Sequence, residues 1–218
     1  MKIVGKWNRS VVLTYAGVAA SILGMGFAAG GLPGAELPAF RLRAAMSCLA
    51  FAGVFDLADG PVARRCRRSE EEKHFGTELD SLADAVSFVA FPAVIALSLG
   101  AMTWYRLLLL IFFAVCGIAR LAYFHILVGE MDGEPLHFYR GLPVTYTALL
   151  LPLLYALLWR LTAAQFAVFY GWALPAIGVL EILDIPVRKP SGAAYLLFGL
   201  LFVGLLLFYW IGIPALCG

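Results

Sequence analysis

Seven runs of mostly apolar residues follow one another along this chain, at about 11–29, 38–59, 76–99, 104–127, 142–159, 163–183 and 192–214. Each holds about 18–24 residues, enough at 1.5 Å per residue to cross roughly 30 Å of bilayer hydrocarbon as a helix. Lipid offers no water to a backbone N–H or C=O, so a spanning segment must satisfy these groups itself, as a helix does. The chain has 218 residues, 62% hydrophobic and 14% charged, which leaves no room for a separate soluble domain. The expectation is an all-α, polytopic transmembrane helical bundle of about seven spans, one domain over residues 1–218. Short connections make neighbouring spans antiparallel. The first run is long and lacks a small-residue cleavage site, so it is expected to stay as a membrane anchor.

Basic residues set the expected orientation. With the N-terminus in the cytoplasm, Lys2, Lys6, Arg9, Arg64, Arg65, Arg67, Arg68, Lys73, Arg140, Arg188 and Lys189 face that compartment. Arg41, Arg43, Arg106 and Arg160 fall on the far side, and Arg120 lies inside the fourth run. That asymmetry follows the positive-inside tendency and puts the acidic residues described next at the cytoplasmic side. The block Arg64-Arg65-Cys66-Arg67-Arg68 sits between two spans, a place for lipid headgroups or a phosphorylated substrate rather than nucleic acid. Cys48, Cys66, Cys116 and Cys217 form no C-x-x-C pair and no Cys/His spacing for zinc. Trp7, Trp104, Tyr105, Trp159, Tyr209 and Trp210 fall near span ends, as an interfacial aromatic belt does. Pro92 is placed to kink the third span.

Against this apolar background stand four aspartates. They read Asp56-x-x-Asp59-Gly60-x-x-Ala63-Arg64 and, eleven residues later, Gly76-x-x-x-Asp80-x-x-x-Asp84. A carboxylate at a helix centre in a bilayer costs roughly 2.5–3.5 kcal/mol, and such acids mark function. Spacings of three and four put each pair on one helix face, with Gly76 one turn earlier on the stripe of Asp80 and Asp84. Gly60 stands where a helix can end or a ligand can approach the backbone. Antiparallel spans joined by the loop 60–75 bring the two faces together, where four like charges need a strong countercharge. Oxygen-only ligands suit Mg²⁺, Mn²⁺ or Ca²⁺. Such a cluster beside an arginine fits phosphoryl chemistry, with a remaining carboxylate free to take a proton from an attacking hydroxyl. The plainer alternative is a set of helix-end acids paired with Arg64, Arg65 or Lys73.

This run is similar to the signature D-x2-D-G-x2-A-R-x(n)-G-x3-D-x3-D of the CDP-alcohol phosphatidyltransferases, with a gap longer than the common form. The resemblance implies a membrane transferase that passes a phosphatidyl group from CDP-diacylglycerol to a small alcohol and releases CMP. It implies that Asp56, Asp59 and Asp80 hold two divalent metals, Mg²⁺ or Mn²⁺, with Asp84 completing the site and serving as general base. Gly60, Ala63, Arg64 and Gly76 would hold the CDP moiety, and the enzyme would be a homodimer. Within that family, Phe75-Gly76-Thr77-Glu78-Leu79-Asp80-Ser81-Leu82-Ala83-Asp84 and Val86-Ser87-Phe88 resemble the membrane-integral phosphatidylserine synthases (CDP-diacylglycerol–serine O-phosphatidyltransferases). So do Arg120-Leu121-Ala122 and Tyr139-Arg140-Gly141-Leu142-Pro143, which makes L-serine the expected acceptor. Val89 stands where those enzymes usually have glycine, and His125 where asparagine is usual. The alternative is the same chemistry on inositol, inositol phosphate, glycerol phosphate or choline. A cation transporter would instead spread its acids over several helices near the midplane.

Several other residues carry expectations. Arg120 needs an anionic partner: Glu78, an aspartate, or a substrate phosphate or carboxylate. Arg140 either snorkels at the interface or closes the loop 128–141 over the acceptor. Glu78 points off the aspartate stripe and reads as a helix-to-helix hydrogen bonder or ion pair. Glu70, Glu71 and Glu72 read as a solvated turn, and Glu181 with Asp184 as an interfacial charge cluster beside Arg188 and Lys189. His125 lines the acceptor pocket or sits at the interface. Thr14 and Asn8 are placed to reach the nucleotide from the first span.

Overall fold

The computed structural model describes residue 5 and residues 11–32, 38–66, 68–100, 103–130, 138–188 and 193–213. Among these, eight α-helices follow in order: α1 (Val12–Ala29), α2 (Pro38–Arg65), α3 (Glu70–Asp84), α4 (Phe91–Ser98), α5 (Trp104–Glu130), α6 (Thr147–Leu157), α7 (Ala163–Ile182) and α8 (Ala193–Leu207). A π-helical turn, Ala85–Ala90, joins α3 to α4 in one rod and ends just ahead of Pro92, whose missing N–H interrupts the regular ladder. Six segments are long and apolar enough to cross a membrane: Val12–Ala29, Ala39–Ala63, Glu70–Ser98, Trp104–Ile126, Ala163–Ile182 and Ala194–Gly212. The chain is an integral, multi-pass membrane protein.

The expected fifth span is the shortest of the seven. Its helical part, Val144–Leu157, is shorter than the others and covers about 21 Å at 1.5 Å per residue. Pro143 holds an extended backbone (φ −61°, ψ 139°) before it, and Leu158 (φ −107°, ψ 18°) leaves the helix after it. Its start adjoins a two-stranded antiparallel ribbon, β1 (Phe138–Arg140) with β2 (Pro186–Arg188), in which Tyr139 faces Val187. Since β2 follows α7, and α6 turns directly into α7 at its other end, the two helices form an antiparallel hairpin.

Two further boundaries differ from expectation. The second helix runs on through Gly60 and Pro61 to Arg65 instead of ending at Gly60. Helix α3 starts at Glu70, because Ser69 and Glu72 form a capping box: the Ser69 N–H donates to Glu72 Oε2 at 2.8 Å, and the Glu72 N–H to Ser69 Oγ at 3.2 Å. Glu70, Glu71 and Glu72 therefore form the first helical turn, where their charge meets the positive end of the helix dipole. The expected loop 60–75 shrinks to 66–69.

Between helices in lipid the hydrophobic effect supplies little, so close contact and interhelical hydrogen bonds must hold the bundle. Leu49 of α2, Phe88 of the π turn, Phe91 of α4, Phe113 of α5, Leu151 of α6 and Phe166 of α7 form its buried centre. Ser21 of α1 donates to Ser87 Oγ at 2.8 Å, and Tyr170 of α7 to the Pro92 carbonyl at 3.1 Å. Tyr209, past α8, donates to the Pro152 carbonyl of α6. A Cβ on Gly53 would lie 2.7 Å from that of Ala148, so α2 and α6 meet almost backbone to backbone. At one end of the bundle Phe40 packs edge-on against Phe27 and Trp210 (6.0 and 5.5 Å), and Arg43 Nη1 donates to the Tyr209 carbonyl at 3.3 Å. Arg160 lies over Trp159 at that end, as in an interfacial belt; Trp7 falls outside the described residues. Asp56 is about 20 Å along α2 from Arg43 at 1.5 Å per residue, near the opposite end.

Candidate functional site: a carboxylate cluster between α2 and α3

Asp56 and Asp59 lie on the last third of α2, Asp80 and Asp84 on the second half of α3, and α1 rests against both helices. The capping box fixes where α3 begins, and the π turn begins at the residue after Asp84, so the acidic stripe occupies the last regular turns of α3. One oxygen each from Asp56, Asp80 and Asp84 lie within 4.8 Å of one another. Ligand oxygens around one octahedral ion at about 2.1 Å stand about 3.0–4.2 Å apart, and about 3.4–4.8 Å apart at about 2.4 Å. A mutual separation of no more than 4.8 Å is therefore compatible with all three carboxylates ligating one divalent cation. Asp59 is the fourth member. Its Oδ2 accepts from Thr14 Oγ1 at 3.0 Å, and its carboxyl lies within hydrogen-bonding reach of Asp80. Glu70, Glu78 and Asp184 are among the acids in ion pairs, whereas none of these four aspartates has a cationic partner among the described residues.

The cluster opens on a cavity of about 270 Å³ between α2, α6 and α8. Asp56, Asp59, Gly60 and Asp80 line one part of it; Leu149, Phe198 and Phe202 line the apolar remainder. Tyr146 and Phe198 meet edge to face, ring centres 6.2 Å apart, in its wall. A polar end continuous with an apolar slot suits a ligand that is charged at one end and greasy at the other.

Other expected site residues fall as follows. Gly76 lies one turn before Asp80, and a Cβ there would be 3.5 Å from Arg68 Nη1, a neighbour the motif did not indicate. Ala63 is half-buried on α2; Arg64 belongs to the same helix, but its side chain and Asn8 lie outside the described residues. Arg140 is exposed, with Nη1 3.5 Å from Asp184 Oδ2, and does not line the cavity. Arg120 is buried, its guanidinium 5.4 Å from the Phe124 ring and its charge acting on Glu181. Glu78 bonds across helices to His125 Nε2 at 3.0 Å, and Ser81 Oγ lies 3.4 Å from His125 Nδ1. His125 thus ties α3 to α5. Val89 takes room left by Gly117, where a Cβ would stand 2.7 Å from Val89 Cγ2.

Three features were not legible beforehand. Glu181, expected in an interfacial cluster, is 1% exposed and bonded to Thr147, a correction that follows from the ribbon folding over the end of α7. The bond from Thr14, a residue placed toward the nucleotide on the first span, to Asp59 is a contact that the sequence did not indicate. The α6 and α8 walls carried no signal, because apolar residues facing a cavity read the same as apolar residues facing lipid.

A family model for CDP-alcohol phosphatidyltransferase matches residues 7–181. The chain is 42% identical over 106 residues to the CDP-diacylglycerol–serine O-phosphatidyltransferase of Saccharomyces cerevisiae, covering 46% of this chain and 37% of that protein. It is 30% identical over 152 residues to the archaetidylserine synthase of Methanothermobacter thermautotrophicus (69% and 60%). With the CDP-diacylglycerol–serine O-phosphatidyltransferase of Mycobacterium tuberculosis it shares 32% over 157 residues (67% and 52%). The chain thus spans less than two thirds of the length of each of these relatives. No solved structure matches significantly.

Proposed function

The chain belongs to the CDP-alcohol phosphatidyltransferase family, and on that premise we propose that it transfers the phosphatidyl group of CDP-diacylglycerol to the hydroxyl of L-serine, giving phosphatidylserine and CMP. The observation that carries this reading is the convergence of Asp56, Asp80 and Asp84, oxygens within 4.8 Å, beside a cavity whose far walls are apolar. Serine is favoured over inositol, inositol phosphate, glycerol phosphate and choline because the relatives just described are named for serine products or serine transfer.

Asp56, Asp59, Asp80 and Asp84 would hold two divalent cations, Mg²⁺ or Mn²⁺, which supply countercharge to the pyrophosphate and to departing CMP. Gly60 and Gly76, with no side chain, leave the backbone open to the nucleotide, alongside Ala63 and Arg64. Asp84 takes the proton of the acceptor hydroxyl as its oxygen bonds to the lipid-side phosphorus; the bond from that phosphorus to the CMP oxygen breaks. The cavity, about 270 Å³, is smaller than the roughly 300–1,000 Å³ of a typical small-molecule site. It accommodates the headgroup and glycerol region, while the acyl chains leave between α2, α6 and α8 into lipid. The positive-inside asymmetry supports a cytoplasmic N-terminus and a site at the cytoplasmic side, and the family resemblance supports a homodimer.

The test is direct. Purified protein in liposomes, given labelled CDP-diacylglycerol and Mg²⁺ or Mn²⁺, should release CMP with serine and much less with the other alcohols. Absence of release with every acceptor refutes the transferase reading, and preference for another alcohol refutes serine.

A further inference from the structure

One buried carboxylate stands outside the aspartate cluster. Glu181, near the end of α7, is 1% exposed; its Oε1 accepts from Thr147 Oγ1 at 3.4 Å, while its Oε2 is buried with no hydrogen-bond partner. A carboxylate oxygen in such surroundings is costly unless something meets it, and intramembrane acids of this kind mark ligand or ion sites. Its charged neighbour is Arg120, itself 6% exposed.

The location bears on the reaction. Glu181 Oε2 lies 3.4 Å from where a Cβ on Gly117 would be, at the point where Val89 of the π turn packs against α5. With Ser81 opposite His125 and Val89 opposite Gly117, Arg120 falls level with Val86, half a turn beyond Asp84. Thr147 stands between Tyr146 and Ala148, which both line the cavity. The Glu181 carboxylate and the Arg120 guanidinium therefore share the depth of the aspartates, behind the wall formed by the start of α6.

The segment 138–142 straps this pair down. The N–H groups of Gly141 and Leu142 donate to the carbonyls of Ile185 and Leu180, each at 2.9 Å. Gly141, at φ +77°, lies against the Glu181 carbonyl so closely that no side chain fits. The end of α7 that carries Glu181 is therefore covered by this strap.

Resting on the transfer reading above, we infer that Glu181 is a specificity-determining residue that receives the ammonium group of a zwitterionic acceptor on Oε2, with Arg120 on the carboxylate side. An α-amino acid carries both charges on one carbon, and a carboxylate beside a guanidinium is their complement. A buried site built to bond a polar group rejects analogues that lack it by far more than an apolar pocket rejects a missing methylene.

The test compares wild-type protein with Glu181→Gln, which keeps the volume and the Thr147 bond, and Glu181→Asp, which keeps the charge. Glu181→Gln is expected to raise the KM for serine at least ten-fold, with kcat at saturating serine within about three-fold and the KM for CDP-diacylglycerol unchanged. Glu181→Asp should recover most of the serine KM. Glycerate, which carries a hydroxyl in place of the ammonium, should inhibit Glu181→Gln as well as it inhibits wild type. An unchanged serine KM overturns the inference. So does a parallel weakening of glycerate, which would mean that Glu181 acts only by holding Arg120, and so does a joint fall of kcat or of folding in both variants. Failure of wild-type protein to release CMP with any acceptor is a different result and falls on the transferase reading itself.

Discussion

Asp84→Asn is expected to act in opposite directions on the metal-free and the metal-loaded protein. Oxygens of Asp56, Asp80 and Asp84 lie within 4.8 Å of one another, and two unit charges at that separation repel by about 3.5 kcal/mol at an effective dielectric of about 20. Neutralising Asp84 removes two such pairs, about 7 kcal/mol by the same arithmetic for carboxylates that are all ionised. Relaxation of the carboxylates away from one another takes up most of it, and a gain of about 1–2 kcal/mol is the working expectation. For a chain of this length each kcal/mol moves the melting temperature by roughly 2–4 °C, so in EDTA the variant should melt about 2–8 °C above wild type. With Mg²⁺ or Mn²⁺ the order inverts. A cation at a hundred times its Kd stabilises wild type by about 2.7 kcal/mol, whereas the variant, short of one ligand, gains little. The assay is thermal unfolding in detergent across a metal series, paired with CMP release, which the variant should lose. A variant that melts below wild type in EDTA refutes the reasoning, as does a wild-type melting temperature that no divalent cation raises.

Two further outcomes follow from the same coordinates. Thr14→Val removes the hydroxyl that donates to Asp59 at 3.0 Å; loss of such a supporting hydrogen bond typically costs 10–100-fold in metal affinity or activity, so the metal concentration for half-maximal CMP release should rise at least about ten-fold, and an unchanged metal titration would contradict this role. Gly53→Val drives a side chain into Ala148, where even a Cβ would stand at 2.7 Å; overpacking of this kind costs about 1–3 kcal/mol, to be read as a lower melting temperature with α2 and α6 forced apart, and a variant as stable as wild type would show that the helices are less closely apposed.

Much of this was legible from particular residues. The spacing of Asp56 with Asp59, and of Asp80 with Asp84, puts each pair on one helix face from the sequence alone, and Thr14 stands out on the first span. The start of α3 is written in the capping-box pattern Ser69-x-x-Glu72, although the three glutamates by themselves read as a solvated turn. Gly60, one of whose readings is a helix end, points in the other direction. A proline fits helical φ and removes only one donor, so α2 passes through it to Arg65. The short α6 was hidden because its flanks, Pro143 and Leu158, are as apolar as its interior.

What the amino-acid order determined alone was local and periodic: which stretches are helical and lipid-compatible, and which acids share a stripe, since both follow from side chains a few positions apart on one helix. Tertiary structure decided what faces what across helices. That the carboxylates of α2 and α3 meet within chelating distance, that α6 and α8 leave a slot beside them, and that Glu181 is buried near Arg120 instead of standing at the interface all depend on helix rotation and depth. In a bilayer those are set by close contact and a few hydrogen bonds rather than by hydrophobic burial, so no pattern of apolar residues along the chain could specify them.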